Sequence, residues 1–171
     1  MQQDLSKVIF LLCDDDARQL DFNRELLEGL LRRTFNIFSP EIHPFDDGDG
    51  VLKFLEDRKS AKGVVLISDQ VMDRMRGSEL FRALDAKGLL PENTFLCSSM
   101  PREDFQALVD YDLGIDNAEK KIKFLPKNGV GYHFNQNLPQ AIQAAAREIG
   151  LDVAPSRPEG AVVAPSDRCR S

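Results

Sequence analysis

The chain has 171 residues, of which 42% are hydrophobic and 29% are charged, a composition typical of one soluble globular domain. A net charge of -6 and an isoelectric point near 5.0 argue against a protein that binds nucleic-acid backbones. No apolar run has the length of a membrane span, the segment MQQDLSK does not begin a signal peptide, and three cysteines without CxxC spacing favour a reducing compartment. We therefore expect a cytoplasmic protein that binds neither nucleic acid nor membrane.

Apolar runs of strand length alternate along the chain with segments whose apolar residues recur at helical spacing. The predicted strands are Lys7–Cys13, Glu41–Phe45, Val64–Ile67, Asn93–Cys97 and Ile122–Leu125. The predicted helices are Ala17–Arg33, Val51–Arg58, Ser78–Lys87, Arg102–Tyr111 and a last helix that ends at Gly150. Asn137 is the candidate N-cap of that last helix, with Pro139 in its first turn, and residues 114–121 are predicted to be a loop.

This order repeats a strand and a helix five times. Such a repeat predicts an α/β fold, a doubly wound parallel sheet with helices on both faces and right-handed crossovers. Residues 1–150 are expected to form the domain. Residues 151–171 are rich in Pro, Ala, Ser, Gly and Arg and lack apolar periodicity, so we expect a disordered tail that is too short for a second core.

Polar and charged residues follow four of the predicted strands. Asp14–Asp16 follow the first strand, Asp69 ends the third, Ser98 follows the fourth and Lys127 follows the fifth. The loops after parallel strands lie on one side of the sheet, where open α/β sheets bind ligands. Clustered carboxylates suit a hard cation such as Mg²⁺, and a hydroxyl with a lysine suits a phosphoryl group. Asp69 is then either a cation ligand or a nucleophile that forms an aspartyl phosphate.

Four segments at these strand ends together resemble the receiver domain of two-component response regulators. They are LLCDDD at 11–16, ISDQVMDRMRG at 67–77, FLCSS at 95–99 and KFLPK at 123–127. The eight-residue step from Asp69 to Gly77 matches the spacing in that family. The resemblance covers about Lys7 to Gly150 and implies the flavodoxin-like, CheY-like strand order 2-1-3-4-5.

The resemblance also implies a phosphorylation site with a bound Mg²⁺ ion as cofactor. Asp69 resembles the phospho-acceptor. Asp15 resembles the direct metal ligand, Asp14 resembles its neighbour that acts largely through water, and the backbone carbonyl of Val71 resembles the remaining ligand.

The implied reaction is in-line transfer of a phosphoryl group to Asp69 from a phosphohistidine on a kinase or a phosphotransfer protein. Ser98 and Lys127 match the residues that bind the phosphoryl group, and Phe124 matches the aromatic residue whose rotamer follows phosphorylation. The change is expected to repack the surface of the fourth helix, the fifth strand and the last helix, where a downstream protein would bind. The chain would then be a phosphorelay signalling module rather than an enzyme acting on a separate substrate.

Two positions depart from the receiver pattern. Asp73 stands four residues after Asp69, where receivers usually have proline, and it adds a carboxylate near the site. The order Pro126-Lys127-Asn128 replaces the usual Lys-Pro pair, so the sequence does not predict the cis-proline loop of that family.

Two other functions remain open from the sequence. One is a Mg²⁺-dependent phosphohydrolase with an aspartyl-phosphate intermediate, although such enzymes often have a second Asp two residues after the nucleophile and this chain has Val71. The other is a degenerate receiver that acts as an unphosphorylated interaction module. The changes at Asp73 and Asn128 leave that function open.

Several of the same residues also have plainer interpretations. Asp14–Asp16 could be only the acidic N-terminus of a helix, and Phe124 could be only a core residue. The aspartates at 46, 47 and 49 are expected to form a solvated turn in which Asp49 caps the next helix. Cys13 and Cys97 are expected to be buried and too far apart for a disulfide.

Overall fold

The computed structural model describes residues 7–152, which form a five-stranded parallel sheet in the order β2-β1-β3-β4-β5. The strands are β1 (Ile9–Cys13), β2 (Glu41–Phe45), β3 (Val64–Asp69), β4 (Asn93–Ser98) and β5 (Ile122–Pro126). The predicted fold class and strand order are confirmed, and each strand end lies within two residues of its prediction. The predicted tail lies outside the described residues, apart from its first two residues.

Helices cover both faces of the sheet. They are α1 (Ala17–Phe35), α2 (Gly48–Arg58), α3 (Gly77–Ala86), α4 (Arg102–Ala107), α5 (Ala118–Lys121) and α6 (Val130–Glu148). A π-helical turn, Leu108–Asp112, continues α4. Among residues 7–152, no helix has both the length and the apolar character needed to cross a membrane.

The sheet separates two hydrophobic cores. On β1, Phe10 and Leu12 belong to the core under α1 and α6, whereas Ile9, Leu11 and Cys13 belong to the core under α2, α3 and α4. Successive strand residues point to opposite faces, so a strand covered on both faces must be apolar at every position. This burial explains the apolar runs of β1 and of most of β3, whereas the edge strand β2 is partly exposed and contains Glu41 and His43.

The last helix begins earlier than predicted. Its N-cap is Gly129, in the left-handed conformation with φ 71°, rather than Asn137. Asn137 lies inside α6, where its Nδ2 donates to the His133 carbonyl, and Pro139 also lies inside the helix rather than in its first turn. The local Asn–Pro signal for a helix start was therefore misleading.

Packing explains why α6 extends through these residues. Val130, Phe134, Leu138 and Ile142 are buried and recur every four residues along one face of the helix. Their burial against the sheet opposes the loss of one backbone hydrogen bond at Pro139. In the sequence, the start of α6 is marked by the helical spacing of apolar residues that begins at Val130.

The segment between α4 and β5 is not the polar loop that was predicted. The predicted helix Arg102–Tyr111 changes from α-helical to π-helical geometry at Leu108, and α5 falls within the predicted loop 114–121. Four side chains of this segment are buried in the core shared with α2 and α3. They are Val109, Leu113, Ile115 and Ala118. The segment is therefore part of the packed domain.

The turn between β2 and α2 caps that helix with a different aspartate from the predicted one. Asp47 Oδ1 accepts the Gly50 N–H at 2.9 Å, whereas Asp49 lies in the first turn of α2. Pro44 lies in β2, which pairs with β1 at the edge of the sheet, where a residue without an N–H is tolerated.

Candidate functional site

The carboxyl ends of four strands bring the predicted site residues to one edge of the sheet. Asp14 and Asp15 follow β1, Asp69 ends β3, Ser98 ends β4 and Lys127 follows β5. The ends of β4 and β5 are joined where the Lys127 N–H donates to the Ser98 carbonyl at 3.0 Å. The loops of a parallel sheet thus bring together side chains far apart in sequence.

Three carboxylates meet at this edge. Asp14, Asp15 and Asp69 each place one carboxylate oxygen within 4.8 Å of the others. Asp14 is 2% exposed and Asp69 is 4% exposed, while Asp15 is open to solvent. Like charges this close, two of them buried, repel one another unless a positive group lies among them.

The Asp14 carboxylate is only partly satisfied. Its Oδ1 accepts the Asp16 N–H at 2.9 Å, but its buried Oδ2 accepts no hydrogen bond from residues 7–152. Burial raises the pKa of Asp14 to about 6, and the charge of Asp69 adds to this rise, while the Asp16 hydrogen bond and the charge of Lys127 oppose it. Asp14 therefore has a buried acceptor that no described residue uses.

Lys127 supplies a positive charge beside the Asp69 carboxylate. Its Nζ lies 2.9 Å from Asp69 Oδ1, as an ion pair rather than an aligned hydrogen bond. Burial lowers the pKa of Lys127, but the contact with Asp69 and the charges of Asp69 and Asp14 outweigh it and leave the pKa raised. Lys127 is therefore held in its charged form beside Asp69.

Ser98 lies at the same edge with its hydroxyl turned to the following loop. The residue is 5% exposed, and its Oγ accepts the Met100 N–H at 3.1 Å. This bond holds the start of the β4–α4 loop. A hydroxyl that serves as an acceptor here still has its own proton to donate to another oxygen.

Phe124 lies in β5 and is packed against α4. Its ring stacks on Phe105 with the centroids 4.9 Å apart and the planes at 22°, and the Arg102 guanidinium lies 5.8 Å from its centroid. Phe124 is 9% exposed, so the ring is buried in this conformation. Any rotation of Phe124 must therefore disturb the contact between β5 and α4.

Gly77 explains the spacing of eight residues from Asp69. A Cβ at this position would clash with the Asp69 carbonyl oxygen, which is backbone and cannot move aside. The Gly77 N–H donates to the Gln70 carbonyl at 3.1 Å and closes the loop between β3 and α3. Glycine is needed here for close backbone approach rather than for an unusual φ.

The side chains that hold this loop were not predicted from the sequence. Gln70 Oε1 accepts the Ser78 N–H at 2.9 Å, and Gln70 Nε2 donates to Ser78 Oγ at 3.1 Å. Both side chains are buried. No short motif marks such a pair, and only the polar residue directly after the buried strand could have suggested it. Val71, between Gln70 and the turn, has an exposed side chain.

Two further contacts tie the loop to its neighbours, and the sequence analysis predicted neither. The Asp73 N–H donates to Asp15 Oδ2 at 2.7 Å, and Arg74 Nη1 lies 3.3 Å from Asp47 Oδ2. Asp73 therefore brings more than an extra carboxylate, since its main chain touches the metal-ligand candidate Asp15. No peptide bond within residues 7–152 is cis, which includes the bonds on both sides of Lys127.

The two described cysteines take no part in this site. Cys13 and Cys97 are both free and buried, as predicted. Burial raises the pKa of each thiol to about 12, so both remain protonated. The Cys13 thiol donates to Met72 Sδ at 3.6 Å, which packs the β3–α3 loop against the end of β1.

This donor set fits a hard divalent cation. Asp14 Oδ2 is a buried oxygen without a donor, Asp15 is accessible from solvent, and Asp69 contributes a third carboxylate within 4.8 Å. Oxygen ligands from one or a few carboxylates, completed by water, are what Mg²⁺ prefers. With Lys127 on the other side, the edge can hold a cation and an anionic group next to each other.

Comparison by sequence finds no relative of this chain. No family model matches it, and no curated protein matches it significantly.

Solved receiver domains share the fold. The signal receiver domain of an HD domain-containing protein from Pseudomonas fluorescens Pf-5 is 19% identical, with a TM-score of 0.60 over 87% of this chain and 93% of that chain. Chemotaxis protein CheY4 from Vibrio cholerae is 17% identical, with a TM-score of 0.58 over 78% of this chain and 98% of that chain. The resemblance to receiver domains is confirmed at the level of the fold, and the chain has the CheY-like architecture.

Proposed function

We propose that residues 1–150 form a phospho-accepting receiver in the cytoplasm, whose Asp69 takes a phosphoryl group from a histidine kinase or a histidine phosphotransfer protein. One observation carries this proposal. Two buried carboxylates, Asp14 and Asp69, lie beside Lys127 at the ligand-binding edge of a receiver fold. Phosphoryl transfer to a carboxylate needs a nucleophile, a cation site and a positive group for the phosphoryl oxygens.

The cation site would consist of Asp14, Asp15, Asp69 and the backbone carbonyl of Val71. A bound Mg²⁺ ion supplies positive charge to the phosphoryl oxygens. The partnerless Asp14 Oδ2 supports this assignment, because a water molecule of the hydrated ion would give it the donor that it lacks. Burial is the main cause of the raised pKa of Asp14, and the charge of Asp69 adds to it, so a cation bound here would oppose the rise.

Asp69 is the nucleophile in this proposal. One of its carboxylate oxygens attacks the phosphorus while the bond from phosphorus to the histidine nitrogen breaks, and that nitrogen keeps the electron pair. Lys127 Nζ, 2.9 Å from Asp69 Oδ1, can turn to a phosphoryl oxygen and offset its charge. Catalysis is confined to the phosphorylation and dephosphorylation of the chain itself.

The signal would leave the site through Ser98 and Phe124. Once Asp69 is phosphorylated, the Ser98 hydroxyl gives up its contact with the Met100 N–H and donates to a phosphoryl oxygen. Phe124 then leaves its stack on Phe105, which changes the surface formed by α4, β5 and α6. That surface is the proposed contact for a downstream protein.

An unphosphorylated interaction module is the second candidate function. It is favoured by Asp73 and Asn128, which depart from the receiver pattern at positions close to Asp69 and Lys127. A phosphohydrolase has less support, because the position two residues after Asp69 is Val71, an exposed apolar side chain without acid or base chemistry.

Acetyl phosphate with Mg²⁺ distinguishes these functions. Wild type, Asp69→Ala and Asp57→Ala are incubated with the donor, and acyl-phosphate content is measured by intact-mass spectrometry. Asp57 is an exposed aspartate in α2 and serves as the matched control. We expect an added phosphoryl group on wild type and on Asp57→Ala, and none on Asp69→Ala.

The other outcomes contradict the proposal in different ways. Release of inorganic phosphate without a stable adduct indicates a phosphohydrolase. A wild type that is not labelled by acetyl phosphate, and that does not bind the phosphoryl analogue beryllofluoride in a parallel experiment, indicates an unphosphorylated module. Labelling that persists in Asp69→Ala means that Asp69 is not the acceptor.

A further inference from the structure

The Asp15 carboxylate is held by a main-chain amide from the β3–α3 loop. The Asp73 N–H donates to Asp15 Oδ2 at 2.7 Å, and within residues 7–152 the carboxylate accepts no other hydrogen bond. Asp15 is exposed to solvent, so its side chain would otherwise exchange among rotamers. A short hydrogen bond to an ionised acceptor selects one of those rotamers.

The loop that carries this amide is itself held in place. On one side of Asp73, Gln70 makes two hydrogen bonds to Ser78, and on the other side Arg74 pairs with Asp47. The buried hydrogen bonds of Gln70 anchor the loop to α3, whereas the exposed Arg74–Asp47 pair adds only a weak link to the start of α2. An anchored donor can impose its position on a flexible acceptor, whereas a mobile donor would follow it.

This hydrogen bond exists because residue 73 has an N–H. The receiver pattern that the chain resembles usually has proline at this position, and proline has no N–H to donate. The bond from Asp73 to Asp15 is therefore a feature of this chain and not of that pattern.

We propose that the main-chain amide of Asp73 is a positioning group that sets the Asp15 carboxylate for divalent-cation binding, an inference that rests on the function proposed above. The amide fixes Oδ2 of Asp15 and leaves Oδ1 for a cation shared with Asp14 and Asp69. The cation then does not have to order an exposed side chain when it binds.

The Asp73 carboxylate makes a separate contribution to the same site. It lines a cavity with Asp15, Asp46 and Asp47, so its charge adds to the attraction for any cation there. Because the side chain is exposed, water and salt screen this attraction. A test of the amide must therefore remove the charge from both variants that it compares.

Two substitutions at position 73 separate the amide from the charge. Asp73→Asn removes the charge and keeps the N–H, whereas Asp73→Pro removes both. Mg²⁺ dissociation constants of the full chain are measured by NMR titration without any phosphodonor. We expect Asp73→Asn to bind Mg²⁺ within about three-fold of wild type, and Asp73→Pro to bind it about ten-fold more weakly than Asp73→Asn. Equal affinities for the two variants would overturn the proposal, as would a wild type that binds no Mg²⁺.

A second measurement leaves residue 73 unchanged, in case proline disturbs the loop. Amide hydrogen exchange is measured by NMR on wild type and Asp15→Ala, both free of metal. We expect the Asp73 amide to exchange about ten-fold faster when its acceptor is removed. The Arg76 amide, which donates to Glu79 Oε2 at 2.7 Å, serves as the control and should not change. An Asp73 amide that exchanges equally fast in both proteins contradicts the inference.

The inference and the proposed function can fail separately. If the proline effect on Mg²⁺ binding is present but Asp69 is never phosphorylated, the amide positions a cation ligand in a chain that is not a phospho-acceptor. If Asp69 is phosphorylated but the variants bind Mg²⁺ equally, the function stands and the positioning role of Asp73 is wrong.

Discussion

The two edges of the sheet each hold a carboxylate that is at least partly buried, and they pair it differently. At the amino edge, Glu148 accepts the Gly63 N–H at 2.9 Å on one oxygen and Asn93 Nδ2 at 3.0 Å on the other. At the carboxyl edge, Asp14 is more deeply buried, yet its Oδ2 accepts no hydrogen bond from the described part of the chain.

The difference lies in what surrounds each acid. Burial raises the pKa of both groups, and in each case a neighbouring carboxylate, Glu92 or Asp69, adds to the rise while hydrogen bonds oppose it. The two acids differ in pairing, because both Glu148 oxygens accept a hydrogen bond whereas Asp14 Oδ2 accepts none from the described residues. Buried acceptors in folded proteins are almost always paired, and those that are not tend to lie at functional sites. The amino edge is therefore complete by itself, while the carboxyl edge is arranged for a group from outside the chain.

Among the substitutions that test this comparison, Lys127→Met is expected to cause the largest loss of stability. The substitution removes the positive group 2.9 Å from Asp69 Oδ1 and leaves a buried carboxylate without a cation. Loss of one partner from a buried pair costs about 3–5 kcal/mol, and because the Lys127 side chain is 32% exposed we expect about 2–3 kcal/mol. Urea unfolding at pH 8 with EDTA measures the change.

The double variant Lys127→Met/Asp69→Asn is the control for that prediction. With both charges removed, most of the lost stability should return, because no uncompensated charge remains. A double variant as unstable as the single one would mean that Lys127 acts through packing of its aliphatic chain instead.

The amino edge should respond to Glu148→Ala with a loss of about 2 kcal/mol, because the Gly63 N–H and Asn93 Nδ2 both lose their acceptor. Urea unfolding with and without Mg²⁺ measures it. The loss should be the same in both buffers, since this edge has no part in the proposed cation site. A loss that depends on Mg²⁺ would remove the distinction between the two edges.

Asp14→Asn is expected to stabilise the metal-free protein, by about 1 kcal/mol at pH 8, whereas the two preceding substitutions destabilise it. Asn keeps the acceptor for the Asp16 N–H and removes the charge from a buried site. Thermal unfolding measured from pH 4 to pH 8 in EDTA tests it.

The pH dependence follows from the sign of the shift. The folded pKa of Asp14, about 6, lies above its usual value of 3.8, so the folded state binds this proton more tightly than the unfolded state. Wild type therefore loses stability as the pH rises from 4 to 6, and Asp14→Asn does not. The difference in stability between Asp14→Asn and wild type should be small at pH 4 and should reach its full size above pH 6. Mg²⁺ should reverse this difference, because it should stabilise wild type alone. A stability difference that does not change with pH would mean that the Asp14 charge is not its cause.

The framework of this comparison could be predicted from the sequence. Apolar runs followed by Asp14, Asp69, Ser98 and Lys127 gave the sheet, its strand order through the receiver resemblance, and the edge at which these residues meet. Strands buried on both faces leave a strong apolar signal, and the polar residue after each strand marks its end. Parallel topology then leaves little choice about which side the loops occupy.

The contacts that distinguish the edges could not be predicted. Glu148 in α6 reaches Gly63 and Asn93 across 85 and 55 positions of sequence, and no local pattern records such a distance. The Asp73 amide contacts Asp15 through the main chain, so the identity of residue 73 indicated a charge but not a donor. Side-chain pairing between loops depends on the exact course of each loop, which propensity and periodicity do not determine.

The smallest expected effect is for Asp47→Asn, and it separates a built site from a general attraction of acids for cations. Asp47 lines the cavity beside Asp15 but is satisfied, since Oδ1 caps α2 through the Gly50 N–H and Oδ2 pairs with the exposed Arg74. Asn keeps the cap, and an exposed ion pair contributes little, so stability should change by less than about 0.5 kcal/mol. Thermal unfolding with and without Mg²⁺ measures it.

If the carboxyl edge selects a cation through Asp14, Asp15 and Asp69, Mg²⁺ should still stabilise this variant nearly as much as wild type. If Asp47→Asn abolishes the Mg²⁺ effect as completely as Asp14→Asn, acidity alone attracts the ion, and the unsatisfied oxygen of Asp14 loses its significance.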